Sequence, residues 1–331
     1  MSGRMSLQAL QQLGLAAVLL AVSVVFGLNT AGFADLGNLR NILLDATPTI
    51  IGAVAMTFVI VTRGIDLSIG SIANVAMATA VVLTGTKVGV SVVTETGFAV
   101  YPVALAAGLA FGLLNGWIIV GLGVNPLIAT LGTLTLYRGI GLHLTEASLY
   151  SVEGGLLALG RGQFLGLGLP VWLALALATG GGFALSRSVV GRQMLALGGD
   201  PRSAVETGIR SRRLILLVYA LTGIAGALAG LIIVGRVGVL TSELGFGFEF
   251  TVITAVVLGG TSLFGGRGSI LGSMLGSMLG ALLLTTIQNG LNLIGADPYL
   301  YDVVRGLVLM VAVSIDTLTT RLSRRQRASP V

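Results

Sequence analysis

Cysteine is missing altogether from this chain, and histidine and lysine occur once each, as His143 and Lys87. Without thiols there is no disulfide framework and no thiolate metal site. A lone histidine excludes His-Glu-x-x-His and every other two-histidine zinc site. His143, near the end of an apolar run, reads as an interfacial histidine with a satisfied ring. The lysine is preceded by Thr86 and does not stand in a Gly-Lys-Ser/Thr sequence, so the chain has no phosphate-cradling Walker loop of its own. No serine occupies a Gly-x-Ser-x-Gly elbow, because Gly268-Ser269 and Gly272-Ser273 are each followed by two apolar residues. Nothing here supports an enzyme.

Charge is scarce as well. Only 10% of residues are charged, against roughly 25% in soluble domains. Hydrophobic residues make up 54% and glycine contributes 50 positions, for a mean hydropathy of +0.98. Apolar runs approaching the ~17–25 residues needed to span a bilayer recur along nearly the whole chain. No water-compatible stretch approaches the ~50 residues of a separate domain. These features describe an all-α polytopic membrane protein. The sequence pI of about 10.3 does not signal nucleic-acid binding, since the arginines gather at the ends of apolar runs, where they set orientation. The first run follows a single arginine and has no Ala-x-Ala-like cleavage site, so it is expected to be a retained span rather than a removed signal.

Runs free of Asp, Glu, Lys and Arg lie at 13–28, 46–61, 69–83, 100–122, 126–137, 169–186, 214–234, 250–264, 269–294 and 306–315. About ten transmembrane helices are therefore expected, with the short runs 126–137 and 306–315 extending past a terminal charge, tilting or crossing only in part. With the N-terminus cytoplasmic, 13 of the 19 basic residues and only four of the 13 acids fall on the inner side, and the C-terminus is cytoplasmic too. The expected layout is a cytoplasmic N-terminus (1–12), a transmembrane domain (13–318) and a basic cytoplasmic tail (319–331).

The longest basic island, 186–213, carries six arginines against Asp200 and Glu206. Pro201 begins and Gly208 ends a short helix there. A capped cationic helix between spans suits docking of a cytoplasmic partner, and the same charges equally suit a plain positive-inside loop. Two turns, 62–71 and 259–269, place polar residues and glycines between spans, as in broken helices or tight hairpins. Small residues at every fourth position, as in Gly272, Gly276 and Gly280, allow close helix packing. The spans show few ionisable residues, Asp66 being the acid nearest midplane. This suits a neutral solute powered from elsewhere better than a proton- or sodium-coupled carrier.

Four segments in register, between about residues 39 and 309, carry a family likeness. They are Arg63-Gly-Ile-Asp-Leu-Ser-Ile-Gly-Ser71; Thr130-Leu-Gly-Thr-Leu-Thr-Leu-Tyr-Arg-Gly139; Gly191-Arg-Gln-Met-Leu-Ala-Leu-Gly-Gly199 with Ala204 and Gly208-Ile209; and Ala255-Val-Val-Leu-Gly-Gly-Thr-Ser-Leu-Phe-Gly-Gly-Arg-Gly268 with Asn289-Gly-Leu-Asn-Leu293. Together they resemble the ribose-type permeases of bacterial ABC importers. One departure stands out: many members have Gly where this chain has Arg63.

The resemblance implies a bacterial inner-membrane, multi-pass permease subunit for a neutral monosaccharide or related polyol. The implied partners are a second permease chain, an ABC ATPase below and a periplasmic sugar-binding protein above, with lipid around them and no nucleic acid. No cofactor is expected on this chain, ATP and Mg belonging to the ATPase, and no metal. Gly191, Arg192, Gly198, Gly199, Asp200, Arg202, Glu206 and Gly208 are the expected ATPase-coupling residues. Gly64, Asp66, Ser68, Gly70, Ser71, Gly259, Gly260, Gly265 and Gly266 form the motif turns. Amides and hydroxyls within spans must find partners, and Asn74, Asn115, Asn125, Thr130, Asn289 and Asn292 are the candidates to line a translocation path. The competing reading is a stand-alone secondary transporter or facilitator for a small neutral solute. A structural membrane scaffold is the third.

Overall fold

A chain this apolar can satisfy its backbone inside a bilayer only by internal hydrogen bonding, and helices are the form it takes. The structure is a computed structural model describing residues 7–87, 93–262 and 270–328. In chain order its helices are α1 (Leu7–Asn29), α2 (Leu36–Val61), α3 (Ile69–Thr84), α4 (Val100–Gly121), α5 (Pro126–Thr145), α6 (Leu157–Arg161) and α7 (Leu169–Arg187). They continue with α8 (Val189–Gly199), α9 (Pro201–Glu206), α10 (Ser211–Val237), α11 (Phe248–Leu258), α12 (Ile270–Leu293) and α13 (Pro298–Ala328).

Seven of the described helices, α1, α2, α4, α7, α10, α12 and α13, are long and apolar enough to cross a membrane. The shorter apolar helices α3 and α11 lie between them. Each uncharged run of the sequence overlaps a helix, but the bounds differ. The run ending at Tyr137 continues through Arg138 to Thr145 in α5, and the run 306–315 is the middle of the 31-residue α13. A charged side chain on a helix surface leaves the backbone ladder intact, so a charge-free criterion cuts such helices short.

The all-α class holds, and among the described residues six short strands accompany the helices. β1 (Gly85–Lys87), β2 (Val93–Thr96), β3 (Tyr150–Gly154) and β6 (Val239–Leu240) form one sheet in the order β1-β2-β3-β6, with β2 and β3 parallel. A separate hairpin joins β4 (Gln163–Phe164) to β5 (Leu167–Gly168). The strands sit in connecting segments and run two to five residues, too short for period-2 patterning to register.

α2 is the central helix, buried continuously from Ala46 to Val61. Pro48 lies inside it and cannot donate to the Leu44 carbonyl four residues back. The Thr47 hydroxyl takes over that carbonyl at 2.7 Å, so the break leaves no unpaired acceptor there. α10 packs along α4 at backbone distance: a Cβ on Gly108 would meet the Gly223 carbonyl, and one on Gly223 would meet the Gly108 carbonyl. Lipid gives helices no hydrophobic reason to associate, so this close van der Waals fit holds the pair together. α1 and α13 remain largely exposed on the outside of the chain.

Gly223→Val should force α4 and α10 apart. The expected loss is about 1–3 kcal/mol of stability, as for other overpacked interiors, read as a lowered thermal midpoint of the detergent-solubilised protein. An unchanged midpoint would rule out the close approach.

Candidate translocation and coupling site

Asp66 lies in the turn between α2 and α3 and is fully buried. A buried carboxyl group must have its lone pairs occupied, and here three donors do so. Oδ1 accepts from the Ser68 amide at 2.9 Å and the Ser68 hydroxyl at 2.7 Å, and Oδ2 accepts from the Thr222 hydroxyl of α10 at 2.8 Å. The chain of donors continues outward. Asn115 Nδ2 on α4 donates to Ser68 Oγ at 2.7 Å, and the Tyr137 hydroxyl on α5 lies 2.9 Å from Asn115 Oδ1. Neighbouring Ile65 offers its carbonyl to the Tyr219 hydroxyl at 3.1 Å and to Thr130 Oγ1 at 3.3 Å. One turn thus ties together α3, α4, α5 and α10.

The other residues of this motif pack around the same turn. Gly64 is buried against Tyr219 and Val59, and Gly70 lies against the Gly245 carbonyl and Glu249 Oε2. Ser71 is buried, and its Oγ has no hydrogen-bond partner among the described residues. Gly259 caps α11 against Gly276 of α12, and Gly260 follows with φ +87°. Gly265 and Gly266 lie outside the described residues.

The path candidates divide by location. Asn115 and Thr130 belong to the Asp66 network. Asn74 is buried on α3, with Nδ2 3.4 Å from the Ser242 carbonyl and Oδ1 pressed against Gly141. Asn125 is exposed and caps α5, accepting from the Leu127 amide at 2.9 Å. Asn289 exchanges two 2.9 Å hydrogen bonds with Asn38. Asn289 and Asn292 both line a cavity of about 520 Å3, whose walls also include Asp45, Thr49, Glu243 and Arg305.

Residues the sequence reading passed over stand in that wall or next to residues of it. Glu249, left outside the span 250–264, sits buried in the first turn of α11. Arg305 on α13 donates to the Gly247 carbonyl at 3.0 Å and to Thr251 at 3.1 Å, and Arg138 lies over the Phe246 ring. Asp45 pairs with Arg236 at 2.7 Å. Thr222 had one available signal: with Tyr219 it supplies the only hydroxyls in the run 214–234.

The basic island folds as two helices. Ser188 caps α8 through the Gly191 amide at 2.9 Å. Asp200 caps α9, accepting from the Arg202 and Ser203 amides and, at 2.7 Å, from the Ser203 hydroxyl. The Ser203 hydroxyl bond, then the Ser203 and Arg202 amides, with Arg63 nearby, hold the Asp200 carboxyl below its ordinary value. Gly208, at φ +83°, ends α9. Met194, Leu197 and Ala204 anchor the pair to the membrane domain, and Gly191 and Gly198 are buried with them. Gly199, Asp200, Arg202, Val205 and Glu206 are exposed, and Arg192 reaches back to the Arg187 carbonyl at 3.1 Å.

A family described as branched-chain amino acid transport system / permease component matches residues 38–313 of this chain. The chain belongs to that permease family. It is 36% identical over 312 residues to the ribose import permease protein of Escherichia coli, covering 93% of this chain and 94% of that one. It is 34% identical to the ribose import permease protein of Bacillus subtilis, covering 93% of each. The galactose/methyl galactoside import permease protein of Escherichia coli is 31% identical, covering 93% of this chain and 95% of that one. A probable ABC transporter permease protein of the same organism is 34% identical over 326 residues. No solved structure matches. The protein is thus a multi-pass ABC-importer permease subunit and not itself an enzyme.

Asp66→Ala in this permease strands the Ser68 amide and hydroxyl in an apolar interior, while the Thr222 hydroxyl keeps the Tyr219 carbonyl at 2.9 Å. A loss of about 2–5 kcal/mol is expected, seen as a lowered thermal midpoint. Thr222→Val should cost less, because two donors to Asp66 remain. Equal midpoints for wild type and Asp66→Ala would remove the network from its central role.

Proposed function

We propose that this chain forms the translocation path of a binding-protein-dependent importer for a neutral monosaccharide or related small polyol. The observation that carries this is the full-length likeness to permeases named for ribose, allose and galactose import, with coverage above nine-tenths on both sides. In this reading the chain crosses the inner membrane of a bacterium ten times, α3, α5 and α11 adding to the seven long apolar helices, with both termini in the cytoplasm. The distribution of arginine supports that orientation. A second permease chain completes the path, a periplasmic binding protein delivers the sugar, and an ATPase carrying ATP and Mg docks on α8–α9. The exposed face of Gly199, Asp200, Arg202 and Glu206 supports the docking assignment. The presence of Asn289 and Asn292 in a cavity wall rich in carboxylates and amides supports their exchanging hydrogen bonds with sugar hydroxyls.

Reconstituted alone in liposomes, the chain should show no concentrative uptake under a proton or sodium gradient. Addition of the matching ATPase, the soluble binding protein and ATP should bring uptake of a neutral sugar. Outward- and inward-open states shift in population only as far as a partner binds them differently. Gradient-driven accumulation by this chain alone would overturn the proposal.

Reversing charge at the docking face provides a separate check. Asp200→Arg with Glu206→Arg should abolish co-purification of the ATPase and reduce transport at least about tenfold, the effect of ~1.4 kcal/mol of lost coupling, while membrane insertion persists. Survival of both ATPase capture and transport would remove α8–α9 from the interface.

A further inference from the structure

Arg63 stands where its own backbone argues against it. It follows the C-cap of α2 with φ +64°, the left-handed region that favours glycine. Its amide donates to the Ile60 carbonyl and the Gly64 amide to the Val59 carbonyl, both at 2.9 Å. This is the paired closure that ends a helix on a left-handed residue. The same pairing closes α9 at Gly208 and α11 at Gly260, where glycine serves. An arginine at such a place calls for something its side chain does.

The side chain spans to the end of α8. Nε donates to the Gly198 carbonyl at 2.6 Å and Nη2 to the Gly199 carbonyl at 2.7 Å. These are the last two carbonyls of α8, at the helix end where backbone acceptors lack internal partners and a cation is favoured. The rigid fork of a guanidinium holds both at once, fixing direction as well as distance. Gly198 and Gly199 have no side chains with which to stiffen the junction between α8 and α9. Three residues after Arg63 comes Asp66, whose donors reach α4, α5 and α10.

We propose that Arg63 is a positioning residue for energy coupling. It acts as a two-pronged clasp joining the end of α8 to the Asp66 turn. Through it, displacement of α8–α9 reaches the start of α3 instead of being absorbed at the two glycines. The proposal rests on the docking of an ATPase at α8–α9 given above.

Arg63→Gly removes the clasp and relieves the left-handed strain together, so the fold is expected to survive; Arg63→Lys keeps the charge but not the fork. In the full complex with ATPase and binding protein, the ratio of sugar-stimulated to unstimulated ATP hydrolysis should fall about tenfold for Arg63→Gly and less for Arg63→Lys. Spin labels on cysteines introduced at Val205 and Leu131, in a chain that has none of its own, give a second readout on the permease alone. Their distance distribution should broaden in Arg63→Gly and stay narrow in Arg63→Lys.

An undiminished stimulation ratio, or a distribution as narrow as wild type in Arg63→Gly, overturns the clasp. So does loss of ATPase capture by Arg63→Gly, which would make Arg63 part of the docking surface itself. A wild-type complex with no sugar stimulation would count against the proposed function. The label pair would still report on the clasp.

Discussion

A carboxyl group in an apolar interior is the constraint around which this permease is arranged. Asp66 has no access to water, and burial without donors costs several kcal/mol. The three donors to its oxygens come from its own turn and from α10, and a second tier from α4 and α5 orients the first. Hydrogen bonds from fixed directions determine where those helices can sit, whereas apolar packing against lipid-like side chains constrains them only loosely. The Gly108–Gly223 approach of α4 to α10 and the node at Asp66 therefore support each other. The glycines let the two backbones close, and Asn115 on α4 and Thr222 on α10 then reach the same Asp66–Ser68 turn.

The same turn faces two ways. Its inner half, from Ile65 to Ser68, is committed to the network, while its outer half, Arg63, reaches the end of α8. Helix ends carry unpaired backbone groups, and the structure deals with them by caps, left-handed closures and a guanidinium. Two such ends meet beside Arg63, so the capped pair α8–α9 is held against the membrane domain by helix-end chemistry as well as by Met194, Leu197 and Ala204. The surroundings of the polar cavity are organised differently, by arginines. Arg236 holds Asp45, and Arg305 holds the segment from Gly247 to Thr251, around a polar cavity.

Much of this was legible in the chain. Membrane class, the long apolar helices and the short capped helix after Asp200 follow from hydropathy and local capping, which depend on neighbours in sequence. The four motifs carry the family likeness, and the comparisons bear it out. Other features did not register. α8 lies inside the basic island, where only the helix begun by Pro201 was read, and two- to five-residue strands have no readable period. Glu249 looked like a loop residue because it precedes a charge-free run. Asn115 and Thr130 read as polar groups in need of partners, and those partners, Ser68, Tyr137 and the Ile65 carbonyl, lie between 22 and 65 residues away.

The sequence by itself therefore determined that this protein is a helical membrane protein with one long cationic segment, because composition and hydropathy are local sums that need no fold, and its motifs carried the resemblance to permeases. Only the tertiary structure decided which helices share the Asp66 node, which amides face a cavity, and that Arg63 reaches Gly198 and Gly199. A hydrogen bond acts over about 3 Å, and which groups come that close across 135 residues of chain is settled by packing alone.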